Sequence, residues 1–244
     1  MSSNNAIVPF ILFCLCFIFT IIFLIVRVLK GGVYGLICKI IASFMFMITS
    51  IVALTLYNPN LGCMFIVLGL LCGFVGDIVL DLKVIYKDHN DIYLNTGMFA
   101  FGLGHIFYFV GLINLVLNSV EYKAMAKPIY IPILIGLGVA IILSIVILIS
   151  TKLMKLNFGK FFYQSGAYTL LLTGLSAISI VFAVMYQITI LWVFGIGAIL
   201  ILISDLILSL NYFGGKEDNK FLIVLNHLIY YIGQIVIAGF IFFV

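Results

Sequence analysis

Charge is scarce in this chain: 12 Lys or Arg and 8 Asp or Glu stand among 244 residues, 66% of which are hydrophobic. A soluble domain could not hide that much apolar surface inside one core, so soluble fold classes are excluded. Hydrophilic stretches are as scarce, which leaves no room for a soluble domain, a low-complexity tract or a long linker. Strict alternation is missing from the apolar runs, and that excludes a transmembrane barrel built from strands of roughly ten residues. No C-x-x-C pair occurs among the 5 cysteines, Cys14, Cys16, Cys38, Cys63 and Cys72. All five fall in apolar segments and are read as small packing residues rather than disulfides or metal ligands. The net charge of +4 implies no nucleic-acid partner, because the basic residues sit in short loops where membrane topology accounts for them.

What remains is membrane-length hydrophobic sequence. Windows of about 20 apolar residues, the length that crosses a bilayer, predict eight spans at 6–28, 33–56, 61–82, 93–118, 129–150, 161–184, 187–211 and 221–244. The fold class is therefore all-α: a polytopic membrane protein, an eight-transmembrane-helix bundle forming one integral-membrane domain over residues 1–244. No basic residue precedes the first span, and Arg27 and Lys30 follow it. That is the pattern of a retained helix with its N-terminus outside, not of a cleaved signal peptide.

The loops set the orientation. Those after spans one, three, five and seven hold Arg27, Lys30, Lys83, Lys87, Lys152, Lys155, Lys160, Lys216 and Lys220, whereas the other side holds only Lys123 and Lys127. Positive charge marks the cytoplasmic side of short loops, so both termini are expected outside, in the cell membrane.

Polar residues at depth then carry the functional argument. Asp77 and Asp205 lie five or six residues before the cytoplasmic ends of spans three and seven, about 8 to 9 Å in at the rise of an α-helix. Lys39 and His227 enter spans two and eight to a similar depth, Tyr163, Gln164 and Tyr168 open span six, and His105 with Tyr108 lies near mid-membrane on span four. A charge in hydrocarbon costs about 2.5 to 3.5 kcal/mol on insertion scales. Such costs persist where the groups face one another or a wet cavity, which predicts a shared polar pocket opening to the cytoplasmic leaflet. Separate snorkelling suits a long lysine but not a short aspartate.

The motif Gly76-Asp77-Ile78-Val79-Leu80-Asp81-Leu82 returns in reduced form as Ser204-Asp205-Leu206-Ile207-Leu208-Ser209-Leu210. Four spans separate the two, so they run in the same direction, as in a parallel four-plus-four repeat; aliphatic matches come cheaply here, and chance resemblance is the alternative. Asp77 and Asp81 share a helix face, but Asp81 lies at the span boundary and is expected to be solvated or paired with a loop lysine. Gly69, Gly73 and Gly76, and Gly97, Gly102 and Gly104, make small-residue surfaces for close helix packing rather than a nucleotide loop. His227, Tyr231 and Gln234 form one stripe at helical spacing, and His105 with Tyr108 another; each histidine is either a satisfied structural residue or a participant in chemistry. No H-x-x-x-H or H-E-x-x-H pair supplies a local chelate, so no metal is expected, zinc on His105, His227 and an Asp being the alternative, and no motif implies a cofactor.

Gly76-Asp77 with Leu80, Phe101 to His105 with Tyr108, Ser204-Asp205, Tyr231 to Gln234 and the early Lys39 together resemble the YhhN and lysoplasmalogenase-like family of multi-pass membrane proteins. The resemblance runs from about Lys39 to Gln234 and rests on the order and spacing of short motifs. It implies an eight-helix hydrolase whose substrate is a lysophospholipid drawn from membrane lipids. The vinyl ether bond of a lysoplasmalogen would be cut to a fatty aldehyde and a glycerophospho-alcohol. Carried over, Asp77 and Asp205 would be the catalytic positions, with Lys39, His105, Tyr108 and Gln234 around them and Tyr168 aligned beside them; His227 and Tyr231, on the same stripe as Gln234, join the supporting set from the helical spacing alone. Span six is the weakest part, with Tyr168 its one aligned position. Vinyl ether hydrolysis needs one carboxylic acid to protonate the β-carbon and one carboxylate to steady the cation and activate water, and two aspartates in unlike environments can divide those tasks. The competing class is a proton-coupled small-molecule or lipid transporter using the same intramembrane acids.

Overall fold

The computed structural model describes residues 3–125, 127–216 and 219–244; Met1, Ser2, Ala126, Glu217 and Asp218 lie outside them. Among the described residues there is no strand, and nine α-helices follow in order: α1 (Ser3–Leu29), α2 (Gly32–Leu56), α3 (Leu61–Ile85), α4 (Asn90–Asn118), α5 (Val120–Met125), α6 (Tyr130–Leu153), α7 (Phe162–Tyr186), α8 (Ile190–Phe213) and α9 (Lys220–Phe240). All but the short α5 are long and apolar enough to cross a membrane, and the chain is an integral membrane protein. The eight expected spans correspond to α1–α4 and α6–α9. The helix α5 falls in a connection that composition alone leaves blank.

Local chemistry explains the connections. Between α1 and α2 the chain reverses through Gly31 and Gly32, both at positive φ, 60° and 50°, a conformation that glycine adopts without steric penalty. Between α2 and α3, Pro59 breaks the helical run, and the Asn60 side chain caps α3 by accepting a 2.8 Å hydrogen bond from the Cys63 backbone N–H. Helix α3 runs on to Ile85 and α8 to Phe213. Asp77 and Asp205 thus each lie about two turns, or about 12 Å, from the end of their helices, farther from the helix end than the apolar windows imply.

The chain divides into two compact units, Met1–Gly111 with Ile237–Val244, and Leu112–Val236. In the first unit, Cys16 on α1 hydrogen-bonds Thr49 on α2 at 3.3 Å, and Gly69 on α3 crosses α4 at Gly104. Phe242 meets Tyr57, at the end of α2, edge-on with centroids 4.9 Å apart. The second unit repeats these relations in the same order. Ser144 on α6 bonds Thr173 on α7 at 2.8 Å, Gly197 on α8 crosses α9 at Gly233, and Tyr122 meets Tyr186, at the end of α7, edge-on at 5.1 Å.

The glycine crossings bring backbones closer than any side chain allows. A Cβ on Gly69 would stand 2.9 Å from the Gly104 carbonyl oxygen and overlap the Tyr108 ring. Gly69→Ala is therefore expected to cost about 1 to 3 kcal/mol through overpacking, read as a lowered thermal midpoint in detergent. Gly138 on α6 has no atom within 4 Å of such a Cβ, so Gly138→Ala is the matched control; equal midpoints for the two variants would contradict the packing account.

Candidate functional site

The first unit gathers charge at one end. Helices α1 and α3 finish there and α2 begins there, so Arg27 in the last turn of α1, Lys39 two turns into α2 and the Asp77–Asp81 face of α3 come to one level. Lys39 Nζ lies 3.4 Å from Asp77 Oδ1 and 3.3 Å from Asp81 Oδ1. Arg27 grips Asp81 with both terminal nitrogens, Nη1 at 2.8 Å from Oδ2 and Nη2 at 3.1 Å from Oδ1. Ser43, one turn beyond Lys39 on the same face of α2, donates a 2.6 Å hydrogen bond to Asp77 Oδ2. Every carboxylate oxygen of the two aspartates is thereby engaged.

This cluster is interior. Asp77 is 2% exposed, Asp81 1% and Lys39 4%. Removing ions from water costs several kcal/mol each, and close opposite charge offsets that only when the remaining lone pairs and protons are satisfied. The four charges of Arg27, Lys39, Asp77 and Asp81 sum to zero, which meets the first half of that requirement, while the Arg27 fork and the Ser43 hydroxyl help meet the second. Asp81 is accordingly corrected from a solvated boundary residue to a buried ion-pair partner. It sits inside α3, not at its edge, and its principal partner comes from α1 rather than from a loop lysine.

His105 and Tyr108 also belong to the first unit and are buried. His105 Nδ1 meets the Phe101 carbonyl at 2.6 Å, and a carbonyl can only accept, so Nδ1 carries a proton. Its ring stands edge-on to Tyr108, centroids 5.9 Å apart, and the Tyr108 ring fills the space over Gly69. The Cβ that Gly76 lacks would press on the Phe101 ring at 2.9 Å, so the glycine before Asp77 is what admits α4 beside it.

The second unit holds the other carboxylate. Tyr168 on α7 donates a 2.6 Å hydrogen bond to Asp205 Oδ2 on α8, and both side chains are partly exposed. Beside Asp205, Ser204 is tied to α9 by Asn226, whose amide donates to the Ser204 carbonyl at 2.6 Å and to its hydroxyl at 3.0 Å. His227 Nδ1 meets the Ile223 carbonyl at 2.7 Å, fixing the same tautomer as in His105. Tyr231 and Gln234 are buried, Tyr231 edge-on to Tyr230 at 5.4 Å. Among the described residues no group of three His, Cys, Asp or Glu is arranged to hold a metal.

Comparison with known families matches residues 34–241 to the YhhN family. The chain belongs to the YhhN family. The match takes in Lys39, Ser43, Asp77, Asp81 and all of the second unit's polar residues, but it begins after Arg27. No curated protein and no solved structure gives a significant match.

Three residues of this YhhN chain were not singled out from sequence: Arg27, Ser43 and Asn226. Ser43 had a usable signal, since Lys39 and Ser43 are four apart on α2 just as Asp77 and Asp81 are on α3. Arg27 had none, because a basic residue after a span is already explained by topology.

Proposed function

We propose that the protein is a membrane hydrolase that cleaves the vinyl ether bond of lysoplasmalogens, or of a related lysophospholipid, releasing a fatty aldehyde and a glycerophospho-alcohol. Asp77 and Asp205 are its working carboxylates. The observation that carries this reading is their unlike surroundings: Asp77 is buried against the Lys39 ammonium and Ser43, whereas Asp205 is partly exposed and accepts from a neutral phenol. The recurrence of the same inter-helix contacts supports a parallel four-plus-four repeat in which the two aspartates are equivalent positions given different duties.

With the Lys39 ammonium 3.4 Å from it, Asp77 is the carboxylate assigned to steady positive charge and to take a proton from water. Asp205 is then the acid. Its proton goes to the β-carbon of the vinyl ether, the double-bond electrons form the new C–H bond, and the α-carbon becomes an oxocarbenium centre. Water adds there, giving up a proton to Asp77, and the hemiacetal collapses to aldehyde and alcohol. One water is consumed, and proton return from Asp77 to Asp205 through solvent closes the cycle. His105, His227 and Gln234 position water or the head group, and the apolar chain lies along the lipid-exposed helices.

The test supplies purified protein with an alkenyl lysophospholipid and follows aldehyde and glycerophospho-alcohol together. Equimolar appearance of both supports hydrolysis. Movement of intact lipid or of protons across proteoliposomes without aldehyde supports the competing transporter, for which buried ion pairs also serve.

A further inference from the structure

We propose that Arg27 is a positioning residue for Asp77, acting through Asp81 and Lys39. Asp81 and Asp77 are one turn apart on α3, and Lys39 stands almost midway between them, 3.3 Å from one and 3.4 Å from the other. A lysine so placed has no geometric reason to serve Asp77 unless Asp81 is satisfied elsewhere. Arg27 supplies that satisfaction. Its planar fork takes both Asp81 oxygens at 2.8 and 3.1 Å, a bidentate match that a lysine cannot reproduce. Lys39 is then left able to hold Asp77, whose other oxygen is fixed by Ser43.

The backbone of α2 is shaped for this. A Cβ on Gly35 would stand 3.2 Å from Arg27 Cδ and 3.3 Å from its Nη1, so the missing side chain at Gly35 is the channel along which the arginine reaches Asp81. The Arg27 side chain is only 11% exposed and that of Asp81 2%, which separates this pair from the screened surface ion pairs that contribute little. Arg27 lies before residue 34, where the family match begins. The device is thus read from this chain's own first helix rather than from the family pattern.

Removing Arg27 alone leaves Lys39 facing two buried carboxylates. Removing Arg27 together with the Asp81 charge leaves one lysine facing one aspartate. The activity arm of the test rests on the hydrolase reading above; a second arm does not. In purified full-length protein, thermal midpoints of Lys39→Met, Asp77→Asn and the double variant give the Lys39–Asp77 coupling. The coupling is expected to shrink in an Arg27→Gln background and to return in Arg27→Gln/Asp81→Asn. In turnover, Arg27→Gln is expected to lose about a hundredfold in kcat, the scale of a small misplacement at a reacting group, with little change in KM. Asp81→Asn in the same chain restores most of it, and Arg27→Lys does not. A coupling or a kcat that Arg27→Gln leaves unchanged overturns the proposal, as does a loss that Asp81→Asn fails to restore. Wild-type protein that releases no aldehyde overturns the hydrolase reading, and the coupling measurement then decides the role of Arg27 alone.

Discussion

Lys39→Leu is expected to cost about 3 to 5 kcal/mol of stability, the penalty for removing one partner of a buried ion pair. Leucine fills much of the lysine stem's volume, so the loss arises from charge and not from a cavity. With Lys39 gone, Asp77 keeps the Ser43 hydroxyl and Asp81 keeps the Arg27 fork, but one interior carboxylate has lost its nearby cation. Lys39→Leu/Asp77→Asn removes one charge of each sign and is expected to recover a large part of the loss. Thermal or denaturant unfolding in detergent reads both. A single variant as stable as wild type would show that the lysine is solvated rather than paired.

The second large effect concerns Asp205. In the proposed hydrolysis its carboxyl proton is the one delivered to carbon, and positioned acids contribute about 10²- to 10⁴-fold to rate. Asp205→Asn keeps size and hydrogen-bonding ability but cannot donate that proton, so aldehyde release is expected to fall by at least about a hundredfold with the protein still folded. Tyr168→Phe removes the 2.6 Å hydrogen bond to Oδ2 and is expected to cost about tenfold, the scale of a hydrogen bond to a charged or polarised partner. If Tyr168→Phe were as damaging as Asp205→Asn, the phenol and not the carboxyl would be the donor.

The spans and their number were legible because hydrophobic windows of bilayer length leave little freedom of interpretation, and the connections are too short to hold anything else. Their ends were less so. The apolar count stops near Leu82, but α3 continues through Lys83 to Ile85, because a helix is ended by its caps and not by the edge of the hydrocarbon. That difference of one turn is what misplaced Asp81 at the boundary. Lys39 and Asp77 were visible as depth anomalies, since neither fits an apolar segment without a partner. The pairing itself was not visible, because one sequence contains no distance between α1 and α3, and Arg27 already had a sufficient explanation as a topological charge. Tyr168 was aligned by motif alone, and its bond to Asp205 is a finding of the structure.

One measurement tests the central claim most directly. Purified wild-type protein and Asp77→Asn, shown to be equally folded, are supplied with an alkenyl lysophosphoethanolamine, and aldehyde and glycerophosphoethanolamine are quantified over time. Wild type is expected to release the two in equal amounts, and Asp77→Asn at least about a hundredfold more slowly. No aldehyde from wild type, or undiminished release from Asp77→Asn, would contradict the account.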